Sequence, residues 1–97
     1  MTDHTLLIIK YKQLLNEVLP ATFTQPVHNN HCFNRIVLDW LFEDVWYKHL
    51  DRSKTAISQL NSEQLQKMIN RMEQWLQEPH LLFYDNTQSL AYRKTTY

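Results

Sequence analysis

The chain has 97 residues and no glycine, which removes several kinds of structure at once. Positions that need a positive φ angle must be filled by asparagine or aspartate, which tolerate it less well than glycine. Tight hairpins and β-bulges therefore become unfavourable. The phosphate-binding loops of P-loop and dinucleotide-binding proteins need glycine where the backbone approaches the phosphates, so both motifs are excluded. The absence of glycine, together with helical periodicity, predicts an all-α domain.

Cysteine and long apolar runs are equally scarce. A single cysteine cannot form an intramolecular disulfide, and nothing near the start resembles a secretory leader. The longest apolar run, Leu6 to Ile9, is followed at once by Lys10 and is far shorter than the roughly 20 residues of a membrane span. We therefore expect a cytoplasmic protein that does not enter a membrane.

Neither sign of charge is in excess. Lysine plus arginine and aspartate plus glutamate number ten each, so the broad basic surface typical of nucleic-acid binding is missing. Hydrophobic residues make up 43% and charged residues 21%, which is ordinary for a soluble globular protein. A chain of this length favours one domain, residues 1–97, with one modest core.

The spacing of apolar residues predicts a small bundle of about four helices around a long central one, at about 3–18, 30–50, 62–77 and 79–92. Thr2 or Asp3 is the expected N-cap of the first helix, and Pro20 is expected to close it. Residues 20–29 have no helical period and predict a loop.

In the second half of the chain, the sequence marks the start of the third helix more clearly than that of the fourth. Asn61 followed by Gln64 forms a capping-box pattern for the third helix. Pro79 suits the first position of a fourth helix, although residues 79–97 can also be read as a hairpin. We favour the helix, with residues 94–97 frayed.

The central helix carries the most reactive residues of the chain on about one third of its surface. This polar seam consists of His31, Cys32, Arg35, Asp39, Glu43, Trp46 and His49. A polar strip on a helix at the centre of a fold is either a hydrogen-bonded core network or a binding site.

One interpretation of the seam's start is a metal site. His28, His31 and Cys32 are all ligand types that zinc accepts. Established zinc motifs pair such a cluster with a second one, and His49 lies about 27 Å along the predicted helix from His31. We therefore expect neither a metal nor another cofactor.

A second interpretation makes Cys32 a nucleophile. A thiol in the first turn of a helix lies near the positive end of the dipole, which lowers its pKa. His31 points about 100° away from Cys32 on a helix, so His28 is the better candidate base. The alternative is that Cys32 is a small core residue.

Farther along the seam, Arg35, Asp39 and Glu43 follow one another at spacings of four. Residues at this spacing form ion pairs even on a helix surface without a function, and each pair stabilises the helix by about 0.2 to 0.5 kcal/mol. If Trp46 and other helices cover the strip, Arg35 becomes a fork that can hold a carboxylate or phosphate, with Asp39 orienting it. Both alternatives, a structural network and a ligand site, stay open.

Several segments together resemble a group of short bacterial proteins, some of which are labelled acetyltransferases. The residues that carry the resemblance cover about two thirds of the chain: Asn30 to Phe33, Arg35-Ile36, Asp39, Trp46-Tyr47, Gln64-Leu65, Pro79, Leu81-Leu82, Asn86 and Ser89 to Arg93. The acetyltransferase fold has a mixed sheet and a glycine-containing pyrophosphate loop, which a chain without glycine does not match. The resemblance does imply that Asn30, His31, Cys32, Arg35 and Asp39 belong together, with Ser89 and Arg93 brought to the same place.

Three functions fit these residues. The first is a small helical binding or regulatory module that holds a small anionic ligand or a protein segment, using His31, Arg35, Asp39, Glu43 and Trp46. The second is a small enzyme that uses Cys32 or His31, with Arg35 anchoring an acidic group. The third is a structural domain that forms homo-oligomers through Leu38, Phe42 and Trp46.

Overall fold

A computed structural model describes residues 3–96 and confirms the all-α prediction. The described residues form four helical rods and no strand. The first rod is continuous and comprises α1 (His4–Gln13), a π-helical turn (Leu14–Val18) and α2 (Leu19–Thr22). The other three rods are α3 (Asn30–Phe42), α4 (Ser62–Gln77) and α5 (His80–Thr96), with short 3-10 turns at Trp46–Lys48 and Ile57–Gln59.

The first helix continues through Pro20 and ends at Thr22, so the prediction that Pro20 closes it is wrong. A proline inside an α-helix removes one N–H and clashes with the carbonyl one turn earlier. Here a wider π turn directly precedes Pro20, with the N–H of Leu19 bonded to the carbonyl of Leu14. Such a turn changes the register and loosens the backbone where the proline ring must fit. Asp3 caps the start of this helix, and Thr2 lies outside the described residues.

The central helix is much shorter than predicted, because α3 ends at Phe42 rather than near residue 50. Glu43 adopts the left-handed conformation, with φ 52° and ψ 37°. The N–H of Asp44 then bonds to the carbonyl of Asp39, and the N–H of Glu43 bonds to that of Trp40. These two bonds form a Schellman motif, which ends a helix by satisfying its last carbonyls. The expectation that only asparagine or aspartate takes a positive φ is also wrong, since a glutamate does so here.

The core forms around α3, which contacts α2, the π turn, α4 and α5. Packing on several sides leaves four residues of α3 with no exposed surface, namely Phe33, Ile36, Val37 and Leu38. The α4 helix contributes Leu65, Met68, Ile69, Met72 and Trp75, all fully buried. Leu38 therefore belongs to the core and is not available to the dimer interface considered above.

The two C-terminal helices lie close to their predicted positions. The capping box of α4 is present, with the side chains of Asn61 and Gln64 each bonded to the other's backbone N–H. The last segment is helical rather than a hairpin, and α5 continues to Thr96, beyond the expected end at residue 92. Tyr97, at the end of the segment expected to fray, lies outside the described residues. Among the helices that the structure describes, none is long and apolar enough to cross a bilayer.

The left-handed residue at the end of α3 gives a stability prediction. Replacing Glu43 by glycine is expected to raise the free energy of unfolding by about 0.5 to 1 kcal/mol, because glycine has no Cβ to clash at positive φ. Urea unfolding measures the difference. The matched control is Glu78→Gly at the end of α4, where φ is −131°. That variant gains nothing from the removal of the Cβ and is expected to lose stability; an equal change in both variants would contradict the prediction.

Candidate functional site

The most deeply buried charge of the described chain is the carboxylate of Asp39, in the last turn of α3. Its side chain has no exposed surface. Its Oδ1 accepts the backbone N–H of Trp46 at 3.0 Å, and its Oδ2 accepts the hydroxyl of Ser89 at 2.6 Å. Arg93 of α5 donates Nη2 to Oδ2 at 3.2 Å. A buried carboxylate requires such donors, and these come from three separate segments of the chain.

Arg35 lies one turn before Asp39 and reaches it through a hydroxyl rather than by the direct ion pair that the spacing predicts. Its Nη1 donates to Oγ of Ser89 at 2.6 Å, and its Nη2 donates to Oδ1 of Asn86 at 2.8 Å. Ser89 thus accepts from the guanidinium and donates to the carboxylate. The α5 helix therefore separates two residues that an isolated helix would bring into contact.

Two further arginines gather around the ring of Tyr47, in the 3-10 turn that follows α3. The guanidinium carbon of Arg52 lies 4.5 Å from the ring centroid, and that of Arg93 lies 5.5 Å from it. Cations over an aromatic face are stabilised by about 0.5 to 2 kcal/mol. We refer to Arg35, Arg52 and Arg93 as the arginine cluster.

The arginine cluster carries more positive charge than its surroundings compensate. The guanidinium groups of Arg35 and Arg93 share one carboxylate, that of Asp39, and Arg52 adds a third positive charge at the Tyr47 ring. Burial lowers the pKa of Arg35, and repulsion by Arg93 lowers it further. The Nε of Arg93 is buried and has no hydrogen-bond partner among the described residues. An anion at the exposed part of the cluster would compensate this charge.

Asp39 has the orienting position that the sequence predicts but is more deeply buried than a ligand-binding residue, and Trp46 lies elsewhere than predicted. Asp39 is fully enclosed, so it orients the arginines and cannot itself contact a ligand. Trp46 is not on α3 at all, because the helix has already ended. Its backbone N–H holds Asp39, and its indole packs edge-on to Tyr47 with ring centroids 5.9 Å apart.

The rest of the seam is dispersed, because α3 does not extend to residue 50. His31 is exposed at the start of α3, where it lines a different cleft with Tyr11 and Asn34. His49 stacks on Phe42 with ring centroids 4.8 Å apart. Glu43 is exposed at the opposite end of α3 from His31. A single continuous strip from residue 31 to residue 49 does not exist.

Cys32 is half-buried and interacts with the guanidinium of Arg35, one turn farther along α3. Its backbone N–H is capped by Asn29. Neither His28 nor His31 forms a hydrogen bond with the thiol, and both imidazoles are exposed. Within residues 3–96, no three His, Cys, Asp or Glu side chains come together as a metal site would require.

The residues of α5 that complete the network are Asn86, Ser89 and Arg93. Their spacing of three and four places them on one face of a helix, which is the signal in the sequence that could have identified them. Sequence reasoning grouped Ser89 and Arg93 with Arg35 only through the resemblance. Tyr47 and Arg52 carried no such signal, since their positions depend on the turn that ends α3.

A second arginine–carboxylate network lies between α4 and α5, and no pattern in the sequence predicts it. Asp85 of α5 is 3% exposed and accepts two hydrogen bonds from Arg71 of α4, at 2.7 and 2.8 Å. The indole N–H of the buried Trp75 also donates to Asp85, at 2.8 Å. The bond to Asp85 raises the pKa of Arg71. This network joins α4 to α5 in the way that the first joins α3 to α5.

No protein-family model, no curated protein and no solved structure matches this chain. The described residues also lack the strands of the acetyltransferase sheet. Function is therefore inferred from the chemistry of the side chains.

Ser89 is the residue whose removal tests the network. Ser89→Ala is expected to lower the free energy of unfolding by about 2 kcal/mol, because it leaves a buried carboxylate without one donor and Arg35 without one acceptor. The control is Thr87→Ala on the same helix, whose hydroxyl donates only to the carbonyl of Phe83 and is exposed. Thermal and urea unfolding of both variants measure the difference. A loss no larger for Ser89→Ala than for Thr87→Ala would contradict a structural role for the network.

Proposed function

We propose that the chain is a small helical binding module whose arginine cluster holds the phosphate or carboxylate group of a small anionic ligand. The observation that carries the proposal is the ratio of charges: Arg93 directly and Arg35 through Ser89 share the single carboxylate of Asp39, while Arg52 lies with Arg93 at the ring of Tyr47. In a network that served only to join two helices, one arginine would compensate one aspartate, as Arg71 does for Asp85.

The arginine cluster also has guanidinium N–H groups that can bind an anion. Guanidinium groups present paired N–H donors that match carboxylate and phosphate oxygens. Arg52 is exposed and contacts Tyr47 through its guanidinium plane, with no hydrogen bond or ion pair to the described residues. The side chain of Arg93 keeps 21% of its surface exposed, so part of it is accessible to a ligand.

The scaffold supports a preorganised site. Ser89 and Asn86 hold Arg35 in place before any ligand arrives, and Tyr47 positions Arg52 and Arg93. Side chains that are already ordered lose little conformational entropy on binding, which favours affinity. The enzyme alternative based on Cys32 has no comparable support, because no imidazole contacts the thiol. A cytoplasmic location stays part of the proposal, since a lone cysteine suits a reducing compartment.

Inorganic phosphate and pyrophosphate are the probes for this site, with isothermal titration and Trp46 fluorescence as readouts. Arg52→Gln is expected to weaken pyrophosphate binding by about tenfold, which corresponds to one charge-assisted contact. The melting temperature should not change, because Arg52 is exposed and lies outside the Asp39 network. This variant therefore separates binding from folding, which Arg35→Gln would not.

Lys54→Gln is the matched control, because Lys54 is exposed in the same loop and its loss removes the same charge. Binding by this variant should stay within about twofold of that of the original chain. Equal weakening by both substitutions would show a diffuse electrostatic effect and would contradict a defined site. Absence of saturable pyrophosphate binding at low salt would overturn the proposed function.

A further inference from the structure

A second cleft, of about 170 Å³, lies where the end of α3 meets α4 and α5. Three aromatic rings line it, those of Trp40, Tyr84 and Tyr92. None of them belongs to the arginine cluster, and α5 contributes different residues to the two places. The aromatic cleft is therefore a separate site, with its own chemistry.

The charge of the aromatic cleft is opposite to that of the arginine cluster. Arg71 lines the cleft, but its two bonds to Asp85 compensate its charge. Glu43 also lines it, and its carboxylate forms no hydrogen bond or ion pair with the described residues. One negative charge is left in surplus. The pKa of Tyr92 is raised, first by burial and then by the negative charge of Glu43, which agrees with a negative potential there.

The backbone at Glu43 is a second, independent observation. Its φ of 52° is the positive value that glycine or asparagine adopts more easily. A left-handed non-glycine residue costs of the order of 1 kcal/mol, and such residues are concentrated at functional sites. Ending α3 uses only the backbone of Glu43, which leaves its carboxylate to line the cleft.

We propose that the aromatic cleft binds an alkylammonium group, with Glu43 supplying the counter-charge and Trp40, Tyr84 and Tyr92 supplying aromatic faces. Cations bind over aromatic faces, and ammonium groups that carry alkyl substituents combine a positive charge with apolar surface that the rings bury. Trp40 already lies beside one cation, since the guanidinium of Arg71 is 5.3 Å from the centroid of its ring. The proposal goes beyond the anion site and does not depend on it.

Tetramethylammonium chloride is the first probe, titrated at constant ionic strength against sodium chloride. The indole N–H signals in a ¹H–¹⁵N spectrum are the readout, with Trp40 expected to shift and Trp46, in the other site, serving as the internal reference. We expect saturation with a Kd of about 1 mM, as for a small isolated contact. A parallel titration with N-acetyl-lysine amide tests whether the ammonium group belongs to a small molecule or to a lysine side chain. Saturable binding of either probe supports the proposal, and the probe that binds more tightly identifies the source of the ammonium group.

Glu43→Gln is expected to weaken tetramethylammonium binding by about fivefold or more, because it removes the charge and keeps the shape. Glu17→Gln is the matched control, since Glu17 is exposed on the π turn, does not line the cleft, and its substitution removes the same charge. Glu43→Gly should lose binding while the fold becomes more stable, which separates a site from a folding defect. No saturable shift of Trp40, or equal weakening in the Glu17 and Glu43 variants, would overturn the proposal.

Discussion

The carboxylate of Asp39 is the constraint on which the rest of this structure depends. A charge with no exposed surface is tolerated only when donors surround it, and the donors here come from the turn after α3 and from α5. Meeting that requirement fixes where α5 lies against α3 and where Trp46 begins its turn. The same requirement brings Arg35 and Arg93 close together, against their mutual repulsion. The need of the buried Asp39 carboxylate for hydrogen-bond donors thus produces the local excess of positive charge that we interpret as a binding site.

The end of α3 decides how the two candidate sites are separated. The carbonyl of Asp39 accepts the N–H of Asp44 in the motif that ends the helix, while its side chain holds the backbone N–H of Trp46. One residue therefore both ends the helix and fixes the direction of the chain after it. The chain after this turn places Tyr47 and Arg52 beside Arg93, whereas Glu43, at the end of α3, lines the aromatic cleft. The two places differ in the sign of their surplus charge although both use residues of α3 and α5.

Two arginine–aspartate networks join the C-terminal helix to the bundle, and their difference is informative. Arg71 and Asp85 form a one-to-one pair with good two-point geometry, which is what a structural connection requires. Asp39 is shared between Arg93 and, through Ser89, Arg35. Buried ion pairs often contribute little net stability, so the unequal network is not explained by stability alone. That inequality is the physical basis for proposing that the first network binds a ligand while the second serves only the structure.

Local patterns in the sequence were sufficient for the all-α class, the capping box at Asn61 and the helical nature of the last segment, because propensity and periodicity act over a few residues. They also place Arg35 and Asp39 on one face of α3, which follows from their spacing of four. Tertiary structure decided the rest. The end of α3 at Glu43, the continuation of the first helix through Pro20 and the insertion of Ser89 between Arg35 and Asp39 depend on contacts between segments far apart in the chain. A buried carboxylate takes its donors from whichever segments pack against it, and no local pattern records which segments those are.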